Sequence, residues 1–301
     1  MDMSVQEYRS GPATTRGAVF VLGAAGLWGT TGTAASFAPR AASGVSIGAA
    51  TMGIGGLVLL ALAGRTALRP LRAGRTSVVT ALLGAANAAI YPLAFYSSMS
   101  LAGVAVGTVV TIGSSPVFAA LLERFLDGAR LDRTWLLATA ISAIGVAALV
   151  LGGEGPGAGT QPVLGVLLGL VSGASYAGYT FAAGRLIGAG HSSRAVVGLL
   201  FGLGTVVLIP VFVATGAPLL RGSGLVVTAY LALVPMSVAY VLYGAGLRQL
   251  RVTAVATLTL FEPVVAAVLS VFVVGERLGA LAWVGAALIG IGLALTTLRG
   301  R

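Results

Sequence analysis

The chain has 301 residues, of which 57% are hydrophobic and only 9% are charged, and its mean hydropathy is +1.00. Soluble globular domains average about 25% charged residues, so this composition excludes a soluble domain and indicates an integral membrane protein. The chain has no cysteine and no lysine. Disulfides, thiolate metal sites, a phosphate-binding loop lysine and a Schiff-base amine are therefore excluded.

Nine stretches of at least 20 residues carry at most one charged residue, and each can form a membrane span. The first covers Gly17–Ala38 and is too long for the apolar core of a cleaved signal peptide. The stretch between Arg75 and Glu123 has 47 residues and must fold back near residues 97–103. The sequence therefore predicts ten transmembrane helices, with only short loops between them.

The arginines predict how these helices are oriented. With both termini inside, 15 of the 18 arginines lie in inner loops or tails, and only Arg40, Arg221 and Arg277 lie outside. The positive-inside rule then places both termini in the cytoplasm, and the expected location is the cytoplasmic membrane. The net charge of +10 is thus explained by topology and needs no nucleic acid. The expected partners are the lipid bilayer and a small-molecule substrate, and a homodimer is left open.

The two halves of the chain repeat each other at an offset of 147 residues. Without any gap, the matching residues are Tyr96 and Tyr243, Pro116 and Pro263, Phe125 and Phe272, and Gly145 and Gly292. Five spans per half is an odd number, so the second half must enter the membrane from the opposite side. Such inverted repeats are typical of secondary transporters, whose substrate site lies at the midplane between the halves.

The predicted fold is an all-α integral membrane protein with ten transmembrane helices arranged as two inverted five-helix repeats. Its predicted parts are a cytoplasmic N-terminal tail at 1–16, a first repeat at 17–151, an external linker loop at 152–162, a second repeat at 163–298 and a cytoplasmic C-terminus at 299–301.

Several segments carry a family resemblance, namely Gly26-Leu27-Trp28-Gly29, Tyr96, and Phe261 to Ala267 followed by Gly275-Glu276-Arg277-Leu278. They resemble the EamA-type family of the drug/metabolite transporter superfamily over nearly the whole chain. This resemblance implies ten helices, cytoplasmic termini and transport of a small solute, with efflux favoured because many such proteins export amino acids and related metabolites. The family's Gly-Glu-x-Leu motif occurs only in the second half, because Ala129 replaces the glutamate in the first. We therefore interpret Glu276 as structural.

Glu262 is the one acidic residue well inside a predicted span. On the fourth span, Thr108, Thr111 and Ser115 form a polar stripe, and the 147-residue offset places Glu262 on the matching face of the ninth. A charge at this depth costs about 2.5–3.5 kcal/mol on insertion scales, so it normally faces a bundle interior or a water-filled cavity. Glu262 is predicted to pair with a substrate ammonium or to exchange a proton. The alternative is a structural acid that satisfies backbone groups freed by Pro263.

Pro116 and Pro263 are predicted hinges, because a proline inside a span removes a backbone donor and paired breaks mark transporter sites. Simple helix curvature is the alternative. Aromatic and amide side chains deep in the spans are predicted to line a moderately polar cavity, with core packing as the alternative: Trp28, Asn87, Tyr91, Tyr176, Tyr179 and Tyr240. Glycines at four-residue spacing, such as Gly165, Gly169 and Gly173, are predicted to serve close helix packing.

The predicted function is secondary transport of a small organic metabolite, amino-acid-like or amphipathic, by alternating access. An importer of the same solutes and a lipid or isoprenoid-phosphate translocator are the alternatives, although the latter would prefer a cationic groove. An enzyme is disfavoured, because the chain has no His-Glu-x-x-His motif and its one histidine, His191, falls in a loop. No catalytic residue, metal site or cofactor is predicted.

Overall fold

The computed structural model describes residues 12–128, 133–152, 159–247, 249, 258–259 and 261–297. The predicted C-terminus at 299–301, most of the predicted N-terminal tail and most of the linker loop lie outside these residues. Within them, all regular secondary structure is helical. The main helices are α1 (Pro12–Gly29, continued by Thr31–Ser36), α2 (Gly44–Ala63), α3 (Arg75–Ala102), α4 (Val104–Leu126), α5 (Arg133–Leu151), α6 (Pro162–Gly188), α7 (Ser193–Thr215), α8 (Ser223–Leu233 and Ala239–Leu247), α9 (Phe261–Leu269) and α10 (Ala280–Thr297).

Local sequence signals account for several helix ends. The Ser43 and Ser192 side chains accept hydrogen bonds from the backbone N–H groups of Ser46 and Ala195, which caps the first turns of α2 and α7. Gly103 separates α3 from α4 with φ of 95°, a conformation that only glycine adopts readily. This glycine makes the predicted reversal near residues 97–103.

Three helices are interrupted in ways that no sequence pattern predicted. α1 breaks at Thr30, and π-helical turns occupy Val234–Val238 in the middle of α8 and Ser270–Val274 at the end of α9. Such turns leave carbonyl groups without their usual helical partners and often occur at functional sites. The turn in α8 contains Pro235, which has no N–H to donate.

The helices pack in a pattern that is common to both halves. α3 contacts α6 just as α8 contacts α1, and α4 contacts α6 just as α9 contacts α1. α2 packs on α7, and α5 packs on α10. Exchanging α1 with α6, α3 with α8, and α4 with α9 therefore reproduces these contacts. A large buried cluster, which includes Met52, Leu59, Phe201 and Leu208, lies where α2, α3 and α7 meet.

Small residues let the helices approach closely. The prediction that the α6 glycines serve packing is confirmed, because a Cβ at Gly173 would lie 2.8 Å from the carbonyl oxygen of Thr111 on α4. At a second close contact, a Cβ at Gly145 of α5 would lie 2.7 Å from the carbonyl oxygen of Gly285 on α10. These approaches exclude larger side chains at both contacts.

Among the described residues, seven helical segments are long and apolar enough to cross a membrane. They cover Thr15–Ser36, Gly44–Arg72, Arg75–Ala102, Val104–Leu126, Pro162–Gly188, Ser193–Thr215 and Ser223–Gly246. Phe261–Val274 and Ala280–Gly292 are shorter apolar helices. The all-helical membrane fold is therefore confirmed, whereas the count of ten spans stays a prediction.

Candidate substrate-binding site

A cavity of about 50 Å³ lies inside the bundle and is called the central cavity here. Its walls come from α1, α2, α3, α6, α8 and α9, so both halves contribute to it. The lining residues are Trp28, Thr31, Thr51, Met52, Tyr91, Pro92, Phe95, Tyr96, Tyr176, Pro235, Met236, Tyr240 and Glu262. One water molecule needs about 10–15 Å³, so the cavity holds a few waters, and a metabolite requires it to widen.

Glu262 supplies the one carboxylate in this lining. It lies close enough to interact electrostatically with Tyr91, Tyr176 and Tyr240. In the described part of the chain, no hydrogen bond or ion pair satisfies its carboxylate. An unpaired acid in an apolar cavity requires a proton, water or a cation as its partner.

Aromatic rings from the two halves contact each other in the wall of the central cavity. The Trp28 ring packs against Tyr240 with centroids 5.3 Å apart, and the Tyr91 ring contacts that of Tyr176 at 5.6 Å. Both pairs are edge-to-face, the arrangement that aromatic quadrupoles favour. Each pair joins one ring from the first half to one from the second.

The π-turn in α8 brings the backbone to the cavity wall. The Trp28 Nε1–H donates a 2.9 Å hydrogen bond to the carbonyl oxygen of Pro235, and the Ser237 hydroxyl donates to the carbonyl oxygen of Ala232 at 2.8 Å. The two hydrogen bonds thus give partners to the Pro235 carbonyl group inside the π-turn and to the Ala232 carbonyl group just before it. The indole N–H is thereby engaged by the protein and is not free for a ligand.

Tyr179 lies behind the cavity wall, although it was predicted to line the cavity. It is buried, its hydroxyl lies 3.4 Å from that of Tyr240, and its ring contacts Tyr91, Tyr176 and Phe201. Tyr179 therefore supports the cavity residues Tyr91, Tyr176 and Tyr240 from behind. Asn87 is also outside the cavity, because its amide donates to the carbonyl oxygen of Leu83 at 2.9 Å on its own helix, and it packs beside Gly178.

The polar stripe on α4 is buried in helix packing and does not reach the central cavity. The Thr108 hydroxyl contacts Met99 Sδ at 3.6 Å, and the Ser115 hydroxyl donates to the carbonyl oxygen of Ile112 at 2.9 Å. Thr111 is fully buried without a hydrogen-bond partner among the described residues. Close helix packing buries this part of α4: the α6 glycines Gly169 and Gly173 lie against Val110, Ser114 and the carbonyl oxygen of Thr111. Any binding role of these three residues stays a prediction.

The two predicted hinges differ in their surroundings. Pro116 lies inside a continuous α4, and Pro263 is the third residue of α9. Neither lines the central cavity, but Pro263 directly follows the cavity residue Glu262. Their hinge role stays a prediction, and the interruptions that border the cavity are those at Thr30 and Val234–Val238.

Several lining residues were not identified from the sequence. Thr31, Thr51 and Tyr96 give the wall further hydroxyl groups, and Met52, Phe95 and Met236 extend its apolar part. Tyr96 was singled out for its match to Tyr243 and for the family resemblance, not as a cavity residue. A threonine or methionine inside an apolar span carries no pattern that distinguishes a cavity wall from the core.

A second cavity, the outer cavity, has a volume of about 280 Å³ and lies at the end of the bundle that contains Thr160. Tyr96 lines both cavities, and Glu276 lines the outer one. The Glu276 carboxylate accepts hydrogen bonds from the backbone N–H groups of Val104 at 2.5 Å and Ala105 at 3.0 Å. Glu276 is buried and caps the first turn of α4.

Known proteins show the same organisation. The EamA-like transporter family matches residues 15–151 and again residues 163–298, once in each half. This chain belongs to the EamA-like transporter family. It is therefore a multi-pass membrane transporter, which is not a class of enzyme.

The relatives of this EamA-like protein agree with that assignment. The uncharacterized transporter YwfM of Bacillus subtilis (strain 168) is 33% identical over 276 residues, 91% of each chain. An uncharacterized transporter of Archaeoglobus fulgidus is 30% identical over 175 residues, 58% of this chain and 60% of its own. A solved crystal structure has the same fold, with a TM-score of 0.63 and 22% identity, over 94% of this chain and 97% of that one.

Proposed function

We propose that this EamA-like protein is a secondary transporter that moves a small organic metabolite, amino-acid-like or amphipathic, across the cytoplasmic membrane by alternating access. The observation that carries this proposal is the composition of the central cavity. Trp28 and Tyr91 from the first half face Tyr176, Tyr240 and Glu262 from the second. A site built from both halves changes its access when the halves move against each other.

The repeated contact pattern supports the same mechanism. Each half makes equivalent contacts with the other, so the bundle can adopt two arrangements of similar packing in which the halves exchange roles. We propose that the repeats are inverted, because the 147-residue register pairs helices α1–α5 with α6–α10, and an odd number of crossings in the first half makes the second half enter the membrane from the opposite side. Efflux is the proposed direction, and it rests on the family resemblance.

A lipid or isoprenoid-phosphate translocator is a weaker proposal. Such cargo carries phosphate, which arginine or lysine binds best. No arginine is among the described residues that line either cavity.

Counterflow in proteoliposomes tests the proposed function. Purified protein is reconstituted with one unlabelled solute inside, and uptake of the same labelled solute is measured over a panel of amino acids, amines and small amphipathic metabolites. Thr51→Leu narrows the central cavity without adding charge, and Thr180→Leu is the matched control on the exposed surface of α6. We expect at least one solute to be exchanged, with flux reduced several-fold by Thr51→Leu alone. An absence of protein-dependent flux across the panel would contradict the proposal.

A further inference from the structure

The central cavity has an acidic side chain but, among its described lining residues, no basic one. Glu262 contributes one carboxylate, and the described lining contains no arginine and no histidine. Burying an unpaired carboxylate is costly unless a counter-charge or a proton accompanies it. A ligand with one positive charge would balance the cavity, whereas an anion would add to the imbalance.

The walls of this cavity suit the same kind of ligand. Six aromatic side chains in the described lining share this space with the carboxylate, namely those of Trp28, Tyr91, Phe95, Tyr96, Tyr176 and Tyr240. Aromatic faces attract cations within about 6 Å of the ring centroid, and the attraction strengthens when water is excluded. Alkylated ammonium groups are weakly hydrated and have few or no N–H groups to donate, so they need few hydrogen-bond acceptors and fit a mainly aromatic wall.

A zwitterion fits less well. Its carboxylate requires hydrogen-bond donors or a cation, and the Trp28 Nε1–H already donates to Pro235. The Thr51 hydroxyl donates to the carbonyl oxygen of Ile47, so the remaining donors in the described lining are the hydroxyl groups of Thr31 and of the tyrosines. We propose that the central cavity selects organic monocations, with Glu262 as the counter-ion and the aromatic rings as a cation–π wall. This proposal rests on the proposed transport function and names its substrate class.

Three probes of nearly equal shape and different charge test this selectivity. Choline is a cation, glycine betaine is a zwitterion, and 3,3-dimethylbutan-1-ol is the neutral analogue of choline. Binding is followed by tryptophan fluorescence in a Trp135→Phe/Trp283→Phe background, in which Trp28 of the cavity wall is the reporter. Methylammonium and tetramethylammonium extend the cation series to smaller sizes.

We expect at least one cation to bind tenfold or more tightly than both uncharged and zwitterionic probes. Glu262→Gln should remove this preference, and Glu123→Gln, the same change at an exposed position on α4, should preserve it. Equal binding of the three shapes, no binding of any cation, or cation binding that survives Glu262→Gln would overturn the proposal. Counterflow of zwitterions without cations would overturn the substrate class and leave the transport function intact.

A second inference rests on Glu276, which joins the two halves at the outer end. Glu276 lies in the loop before α10. Its carboxylate accepts hydrogen bonds from the Val104 and Ala105 N–H groups in the first turn of α4. α1 is also close there, because a Cβ at Gly32 would lie 2.9 Å from Met99 Sδ. These contacts surround the outer cavity, and Tyr96 lies between this cavity and the central one.

This carboxylate is present at one end only. The 147-residue register aligns Glu276 with Ala129, so the first half has no equivalent acid. An anion bound to the free N–H groups of a helix start is a strong, charge-assisted contact. We infer that Glu276 is a latch: by tying the loop before α10 to the start of α4, it limits access to the central cavity from the end of the bundle that contains Thr160.

Cysteine accessibility tests the latch in this cysteine-free chain. A membrane-impermeant thiol reagent is added to the side of the membrane from which Thr160→Cys is labelled, and the labelling rate of Thr51→Cys in the central cavity is measured. Val196→Cys, fully buried in α7 away from both cavities, reports general loosening. We expect Glu276→Gln to raise the labelling rate of Thr51→Cys at least threefold, with Val196→Cys unlabelled.

Glu276→Asp keeps the charge and shortens the side chain by one methylene, so it should give an intermediate rate and is available if the glutamine variant does not fold. An unchanged rate at Thr51→Cys in a folded variant would show that Glu276 is only a helix cap and would overturn the inference. Equal increases at Thr51→Cys and Val196→Cys would overturn it as well, because they indicate loss of packing throughout.

Discussion

At the residue scale, the indole of Trp28 has two separate roles. Its ring forms part of the cavity wall, and its Nε1–H satisfies the Pro235 carbonyl group in the π-turn of α8. Trp28→Phe keeps a ring in place but leaves that carbonyl without its donor. An unsatisfied buried polar group costs about 1–3 kcal/mol.

We therefore expect Trp28→Phe to lower the melting temperature of the detergent-solubilised protein, by several degrees. Trp283→Phe is the control, because that side chain is 45% exposed on α10 and should change the melting temperature little. Melting is followed by differential scanning calorimetry, which does not depend on tryptophan. Equal shifts for the two variants would contradict the role of the hydrogen bond.

The sequence indicated some cavity residues and missed others for definable reasons. Trp28, Tyr91, Tyr176, Tyr240 and Glu262 stood out because polar groups deep in an apolar span need partners, and the structure brings these five together. Thr108, Thr111 and Ser115 formed an equally clear stripe but are buried in helix packing and do not line the central cavity. Which face of a span a neighbouring helix covers depends on tertiary packing, and periodicity within one helix does not encode it.

At the scale of elements, the α2–α7 contact depends on the absence of side chains. A Cβ at Gly56 would lie 2.6 Å from the carbonyl oxygen of Phe201 and 2.8 Å from Thr205 Cγ2. Gly56→Ala must therefore push α2 and α7 apart, and overpacking of this kind costs about 1–3 kcal/mol. A Cβ at Gly184 on α6 would meet no neighbour within 4 Å, so this glycine serves as the matched control.

We expect opposite effects from these two substitutions in thermal unfolding. Gly56→Ala should lower the melting temperature, whereas Gly184→Ala should leave it unchanged or raise it, since alanine favours a helix by about 0.5–1 kcal/mol over glycine. If the Gly56→Ala and Gly184→Ala proteins had the same melting temperature, the result would contradict the close approach of α2 and α7.

The helical elements were predictable to different degrees. Gly103 and the polar breaks between apolar runs indicated most of the helix boundaries, because glycine and serine have specific roles at helix ends. The π-turns had no such signal. Pro210 and Pro235 look alike in sequence, yet α7 continues through Pro210 while α8 forms a π-turn at Pro235. The difference lies in the contacts around each proline, such as the Trp28 hydrogen bond.

At the scale of the whole molecule, the loops divide between two ends of the bundle. The Gln161 N–H donates to the carbonyl oxygen of Leu101 at 3.0 Å at one end, and Asp127 forms an ion pair with Arg185 at the other. The arginine distribution predicts that the Thr160 end lies outside the cell and the Asp127 end inside.

Single cysteines in the cysteine-free chain test this orientation. Ala73→Cys and Thr160→Cys are both at exposed loop positions. In intact cells, an impermeant thiol reagent should label Thr160→Cys at once and Ala73→Cys only after the membrane is permeabilised. Labelling of Ala73→Cys alone in intact cells would show that the orientation is the reverse of the predicted one. Labelling of both cysteines in intact cells would contradict the predicted topology.

The proposed transport site is the cavity shared by the two halves, with Glu262 as the residue that controls it. The decisive experiment measures the rate of counterflow, across a range of pH, for wild type, Glu262→Gln and the exposed control Glu123→Gln in the same proteoliposomes. Glutamine keeps the shape and hydrogen-bonding capacity of the side chain but carries neither charge nor an exchangeable acid proton. We expect Glu262→Gln to fold normally and to lose transport or its pH dependence, while Glu123→Gln behaves as wild type. Transport by Glu262→Gln at the wild-type rate with an unchanged pH profile would show that Glu262 does not control the site.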